Sequence, residues 1–230
     1  MNPNIARTIA ILTECAQQTD RKRRLGQDQH VIALSSGTGT GGREIGEMLA
    51  EHLGVRLYDK EILEEMARET HLNRSILKRL DERIDGLKGA WFRSILTGEN
   101  FCKENYCRNL VNVILGIACQ GGVILGRGSC FILAQYPVLR VHIIGSIERC
   151  AARVAAQENI ELTLAKQLVK EEDQSRAEYI RKLFNQDDSD SKHFDLVINS
   201  DRLPLSYIVD SILQAKKCAK FKGNIHTDLP

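Results

Sequence analysis

The sequence predicts an α/β fold: a parallel sheet whose strands are joined by helical crossovers. Three observations predict it. Short β-prone apolar runs at 30–34, 122–125, 138–144 and 194–198 alternate with longer segments of helical periodicity. The first run, HVIAL, is apolar at almost every position, as a strand covered on both faces is. Four glycines within 37–42 separate that run from the first helical segment.

Residues 1–29 form an extension. Ile5, Ile9, Leu12 and Ala16 lie on one face of a short helix from about Asn4 to Thr19, a candidate contact for a second copy of the chain. The basic run Arg21-Lys22-Arg23-Arg24 reads as solvated linker, with a phosphate or RNA contact as the alternative. The main domain spans 30–220. After the glycine turn, Ile45, Met48, Leu49, His52 and Leu53 mark one helical stripe, which Gly54 ends. A mostly helical region at 58–119 comes after a short strand near Tyr58. Its helices are marked by Ile62, Leu63 and Met66, by Ile76, Leu77, Leu80 and Ile84, and by Leu110, Val113, Ile114 and Ile117, with a glycine-punctuated stretch at 86–101. Strands at 122–125 and 138–144 precede helices at about 146–158 and 161–184. A polar loop at 187–192, a strand at 194–198, a helix at 204–220 and a tail at 221–230 complete the chain.

Composition narrows the function classes. The 230 residues are 43% apolar and 27% charged, which excludes wholesale disorder and fibrous structure. With 32 basic and 30 acidic side chains, the formal charge of +2 sets up no global field for nucleic acid or membrane. No apolar stretch approaches the roughly 20 residues that span a bilayer. Arg7 and Thr8 interrupt the one stretch resembling a leader. The seven cysteines are an odd number, scattered from Cys15 to Cys218, and no second ligand pair accompanies Cys102 and Cys107. Reduced thiols and a cytoplasmic location are expected.

The turn Ser36-Gly37-Thr38-Gly39-Thr40-Gly41-Gly42 lies between a buried strand and a helix start. Backbone amides in such a turn can cradle an anion, and the helix terminus adds about half a positive charge. Glycine lets a phosphate approach the backbone. Gly37 to Gly42 matches the spacing of G-x-x-x-x-G-K-[ST], but Arg43 stands at the lysine position and Glu44 at the hydroxyl position. Arg43 can supply charge, although its planar fork does not replace an ammonium simply. Glu44 can ligate Mg²⁺ or repel a nucleotide, or both residues simply open an exposed helix.

The glycine turn and four later segments together resemble the cytidylate kinase-like family of P-loop nucleoside monophosphate kinases. The likeness runs over roughly 30–213. It is carried by SSGTGTGGREIGEMLAEHLGVRLYDKE at 35–61, GGVILGRGSCFIL at 121–133, VLRVHIIGSIERCAARV at 138–154, EEDQSRAEYI at 171–180 and HFDLVINSD at 193–201. The altered glycine turn is itself what this branch looks like. The resemblance implies a three-layer P-loop NTPase-type fold, with a helical monophosphate-binding insertion over 58–119 and a helical lid over about 155–190. It further implies ATP with Mg²⁺, nucleotide substrates, and an acceptor arginine at Arg127. In true cytidylate kinases this arginine stands in a G-R-D-x-G-T segment, whose aspartate helps read the exocyclic amine of cytosine; Gly128 stands at that aspartate here. Asp59 falls where the family has an aspartate before the acceptor region, and it can equally cap the helix beginning near Lys60. Asp173 and Arg176, three apart on one helix face, match the D-x-x-R of the lid, where the arginine would stabilise charge on the moving phosphoryl group. Arg153 and Arg181 are further lid candidates. Solvated i,i+4 pairs such as Glu172–Arg176 and Glu178–Lys182 are the plain alternative for this helix.

The expected activity is transfer of the ATP γ-phosphoryl group to a nucleoside monophosphate, CMP or dCMP foremost. Two alternatives stay open. The missing lysine and hydroxyl fit a nucleotide- or phosphate-binding module without turnover. A kinase for an alcohol acceptor would need a base, for which Asp59 is the candidate.

Overall fold

The structure, a computed structural model, describes residues 30–69 and 101–219. The expected helix at Asn4–Thr19, the basic run, the helix at Ile76–Ile84, nearly all of 86–101 and the tail lie outside the described residues.

Five strands form one sheet: β1 (Val31–Ser36), β2 (Leu57–Tyr58), β3 (Gly122–Leu125), β4 (Leu139–Ile144) and β5 (Leu196–Asn199), in the order β2-β3-β1-β4-β5. Every pairing is parallel. β1 is central, with Val31 opposite Gly122 and Ser36 opposite Ile143. The helices are α1 (Gly42–Leu53), α2 (Lys60–Glu69), α3 (Phe101–Gln120), α4 (Ser129–Ile132), α5 (Ile147–Glu158), α6 (Leu162–Phe184) and α7 (Leu205–Cys218). Among the described residues no helix is long and apolar enough to cross a membrane.

Side-chain alternation explains why β1 reads as a continuous apolar run. Val31 and Ala33 point into a core built with Leu110, Ile114 and Ile117 of α3, Phe131 of α4, and Ile180 and Phe184 of α6. Ile32 and Leu34 point into a second core with Ile45 and Leu49 of α1 and Ile208 and Ile212 of α7. The three layers result from this division, and the crossovers leave the ends of β1, β3 and β4 open at one edge.

Helices α5 and α6 are joined as a hairpin with a small core of its own: Cys150, Ala151, Ala165 and Val169. Only the far end of α6 enters the main core. Ile180 and Phe184 are 5% and 3% exposed there, burial worth about 1.5–3 kcal/mol each. The middle of α6 therefore spans the open edge of the sheet while its end is anchored.

A half-buried imidazole packs beside the core. His142 of β4 stacks on Phe194 at 4.5 Å between ring centroids. Burial pulls its pKa below the usual 6.5, outweighing the Asp188 carboxylate, which acts in the opposite direction. The folded state thus disfavours His142 protonation. The unfolded chain binds more protons as pH falls through 6.5, so this contribution is complete above 6.5 and declines below it. His142→Phe is expected to flatten the acid side of the stability profile. Thermal unfolding over roughly pH 5–8 checks this, and equal acid slopes in the two proteins would refute it.

Candidate active site

The turn after β1 is built as its glycines require. Gly39 has φ +74, and a Cβ there would lie 2.5 Å from the Cys150 carbonyl oxygen, so no other residue fits without moving α5. Gly37 N donates to the Ile143 carbonyl at 3.1 Å, and Thr40 Oγ1 donates to the Gly37 carbonyl at 2.8 Å. Gly41 precedes α1 and offers no side-chain cap, which leaves the helix N-terminus free to face an anion. The Ser36 side chain packs directly against Gly42. Arg153 ties the turn down from α5. Its Nη1 donates to the Gly39 carbonyl at 3.1 Å and to Ser200 Oγ at 3.0 Å, and its Nη2 donates to the Ser200 carbonyl.

A cavity of about 240 Å³ opens between this turn, α2, the β3–α4 connection and α6. Ser36, Arg43, Asp59, Arg127 and Arg176, five residues singled out from sequence, all line it. Arg43 reaches from the start of α1 to Glu47 at 3.2 Å, Asp59 at 3.3 Å and Glu61 at 3.8 Å. The Glu47 hydrogen bond and then the Asp59 charge raise its pKa above the usual arginine value. Asp59 also does the capping work: its Oδ1 accepts from Ile62 N at 3.1 Å.

Arg127 is the most constrained of the set. Its φ is +52, uncommon for any residue but glycine. The guanidinium pairs with Glu64 and lies 4.8 Å from the centre of the Tyr179 ring. Its Nε is buried without a hydrogen-bond partner among the described residues. Burial lowers its pKa, and Tyr179 and Glu61 oppose that; an arginine nevertheless remains cationic. A backbone held in a sparsely populated region and a buried orphan donor are features that cluster at ligand sites.

On α6, Asp173, Arg176 and Ile180 share one helix face. Arg176 Nη1 lies 2.6 Å from Asp173 Oδ1, and its Nη2 donates to Thr38 Oγ1 at 2.9 Å. The Thr38 amide donates to Asp173 Oδ1 at 2.9 Å.

Of the other expected residues, Gly37, Thr38, Gly39, Thr40, Gly41, Gly42, Glu44, Arg153, Asp173 and Arg181 are not among those lining the cavity. Glu44 Oε1 accepts from Gln157 Nε2 at 2.9 Å, toward α5. The side chain at the usual magnesium-hydroxyl position therefore does not face the cavity. Arg153 holds the turn from outside. Arg181 is exposed in the last turn of α6, where its charge complements the helix terminus. Sequence reasoning missed Lys60, Phe131 and Glu61 as lining residues, and Glu64 as the partner of Arg127. The stripe Ile62, Leu63 and Met66 contained a signal for the α2 members, since residues flanking a buried stripe at a strand's exit face the neighbouring turn.

A model of the cytidylate kinase-like family matches residues 31–202. The chain belongs to that family. A cytidylate kinase of Sulfurisphaera tokodaii is 26% identical over 208 residues, covering 85% of this chain and 99% of the relative. An uncharacterized protein from Eubacterium ventriosum, known by crystal structure, aligns with a TM-score of 0.68 at 22% identity, over 83% of this chain and 99% of that one. The cytidylate kinase-like chain thus has the α/β architecture of P-loop kinases, with the glycine turn at the exit of its central strand.

Proposed function

We propose that this protein transfers the γ-phosphoryl group of ATP to a nucleoside monophosphate, with CMP or dCMP the first acceptors to test. The observation that carries the reading is the convergence of Arg43, Arg127 and Arg176 on one cavity beside the glycine turn. Family membership and the likeness to the Sulfurisphaera cytidylate kinase support it.

In this reading the turn 36–42 and Arg43 seat the donor phosphates, and Mg²⁺ brought with ATP would supply further charge neutralisation. Arg127 clasps the acceptor phosphate, where a guanidinium fork supplies two parallel charge-assisted hydrogen bonds. Asp59 fixes Arg43 from the acceptor side. Arg176 reaches over both phosphates and stabilises the charge that spreads during transfer. The acceptor phosphate is already anionic at neutral pH, so no general base is required. Asp173, expected at the acceptor, instead accepts from the Thr38 amide of the glycine turn and is not among the residues lining the cavity.

The test is a coupled assay of ADP release with ATP and a panel of CMP, dCMP, UMP, AMP and GMP, extended to sugar and shikimate-like alcohols. ADP release with a monophosphate is expected. Turnover with an alcohol alone would reassign the acceptor and make Asp59 the candidate base. One observation favours a second reading, a binding module without turnover: Glu44 faces Gln157 rather than the cavity. Calorimetric binding of ATP with no ADP release against any acceptor would decide for it.

A further inference from the structure

The glycine turn is already engaged by an anion of the protein's own. Thr38 N donates to Asp173 Oδ1 at 2.9 Å, and Thr38 Oγ1 lies 3.0 Å from Glu172 Oε2. The Asp173 carboxylate oxygens lie 3.7 and 3.9 Å from the point a Cβ would occupy on Gly37, so the group sits over the turn. Arg176 completes the cluster, held by the same Asp173 oxygen and by Thr38 Oγ1. A carboxylate accepting from a turn amide does what a phosphate oxygen does there. A polyanion entering the turn meets two carboxylates at once, and like charges at this separation repel.

We propose that Asp173 and Glu172 form a latch that competes with the donor phosphates for the glycine turn. Donor entry and release of the middle of α6 are then one event, which also frees Arg176 from Asp173. The proposal rests on the reading that this turn seats a donor polyanion. The latch lies outside the main core: the side chains of Asp173 and Arg176 are 43% and 32% exposed. The hairpin that carries it is packed on its own cluster of Cys150, Ala151, Ala165 and Val169, so α6 can shift without opening the sheet. Coupling of this kind is reciprocal: whatever loosens the latch strengthens donor binding.

Calorimetric titration tests it, without acceptor, on the full chain and its Asp173→Ala, Asp173→Asn and Glu172→Ala variants: ADP and inorganic tripolyphosphate in EDTA, and then ADP in excess Mg²⁺. Thermal unfolding confirms that each variant is folded. Asp173→Ala is expected to bind both probes about ten-fold more tightly, the scale of one lost charge-assisted contact plus one lost repulsion. Asp173→Asn should fall between, because its amide oxygen still accepts from Thr38 N after the charge has gone. Glu172→Ala should show a smaller gain. Unchanged or weaker binding in Asp173→Ala, with the parent chain binding normally, overturns the latch and leaves the donor site standing. Weaker binding confined to Mg²⁺–ADP would make Asp173 a metal contact and also overturn it. No binding of either probe by any of the four proteins overturns the donor reading, and the latch with it.

Discussion

Arg127→Ala is expected to lower kcat/KM for the monophosphate acceptor by about 10²–10³-fold, the usual loss when one oriented donor to a developing charge is removed. The side chain is pre-placed. Glu64 and the face of Tyr179 fix the guanidinium, while its buried Nε has no hydrogen-bond partner among the described residues. Little reorganisation is then needed when a phosphate arrives, which is what makes such a donor effective. Arg127→Lys is not expected to rescue, since an ammonium can neither span two phosphate oxygens nor lie flat on Tyr179. The change also deprives Glu64 of its guanidinium partner, so stability will fall as well. Glu64→Gln provides the comparison, because it loosens the pair and keeps the arginine. Initial rates across a range of CMP and ATP concentrations for all three variants check the expectation. If Arg127→Ala loses thermal stability but turns over within a few-fold of the parent, Arg127 is a structural residue and the acceptor assignment fails.

The strands, the glycine turn and the shared helix face of Asp173 and Arg176 were legible because each depends on short-range order, whereas the pair Glu172–Arg176 that the spacing allows gives way to Asp173–Arg176. The alternation of Val31, Ile32, Ala33 and Leu34 between two cores is a period-two pattern. Arg176 reaches Asp173 because three helical residues bring side chains onto one face. Other features depend on contacts between distant segments. Glu44 occupies the motif's hydroxyl position, yet Gln157 on α5 decides which way its carboxylate points. Arg153 carries the same charge as the other lid candidates, but the Gly39 and Ser200 carbonyls direct it to the back of the turn. The carboxylate that engages the turn belongs to Asp173, 135 residues from its donor Thr38. No local pattern reports such a contact.

Gly128→Asp, which would write the G-R-D of true cytidylate kinases into this chain, is expected to destabilise the fold rather than supply a base-reading carboxylate. Gly128 has φ +72, where any other L-residue is strained by about 1–2 kcal/mol. The space for its Cβ is filled by the ring of Phe184, the last residue of α6, which is 3% exposed and stacks on Phe131 at 5.9 Å. Forcing atoms into a packed core adds about 1–3 kcal/mol. The expected total, about 2–5 kcal/mol, corresponds to a fall in Tm of roughly 5–15 °C for a chain of this size. Gly128→Ala should cost nearly as much, because strain and clash both begin at Cβ. Combining Gly128→Asp with Phe184→Leu should cost less than the sum of the two single changes, since the second relieves the overlap made by the first. Thermal unfolding of the four variants measures this. Strict additivity would mean that the ring and residue 128 do not compete for space. The consequence reaches the substrate: with Phe184 in that space, residue 128 cannot read the exocyclic amine of cytosine. CMP and UMP should therefore differ less in kcat/KM here than a carboxylate at that position would make them.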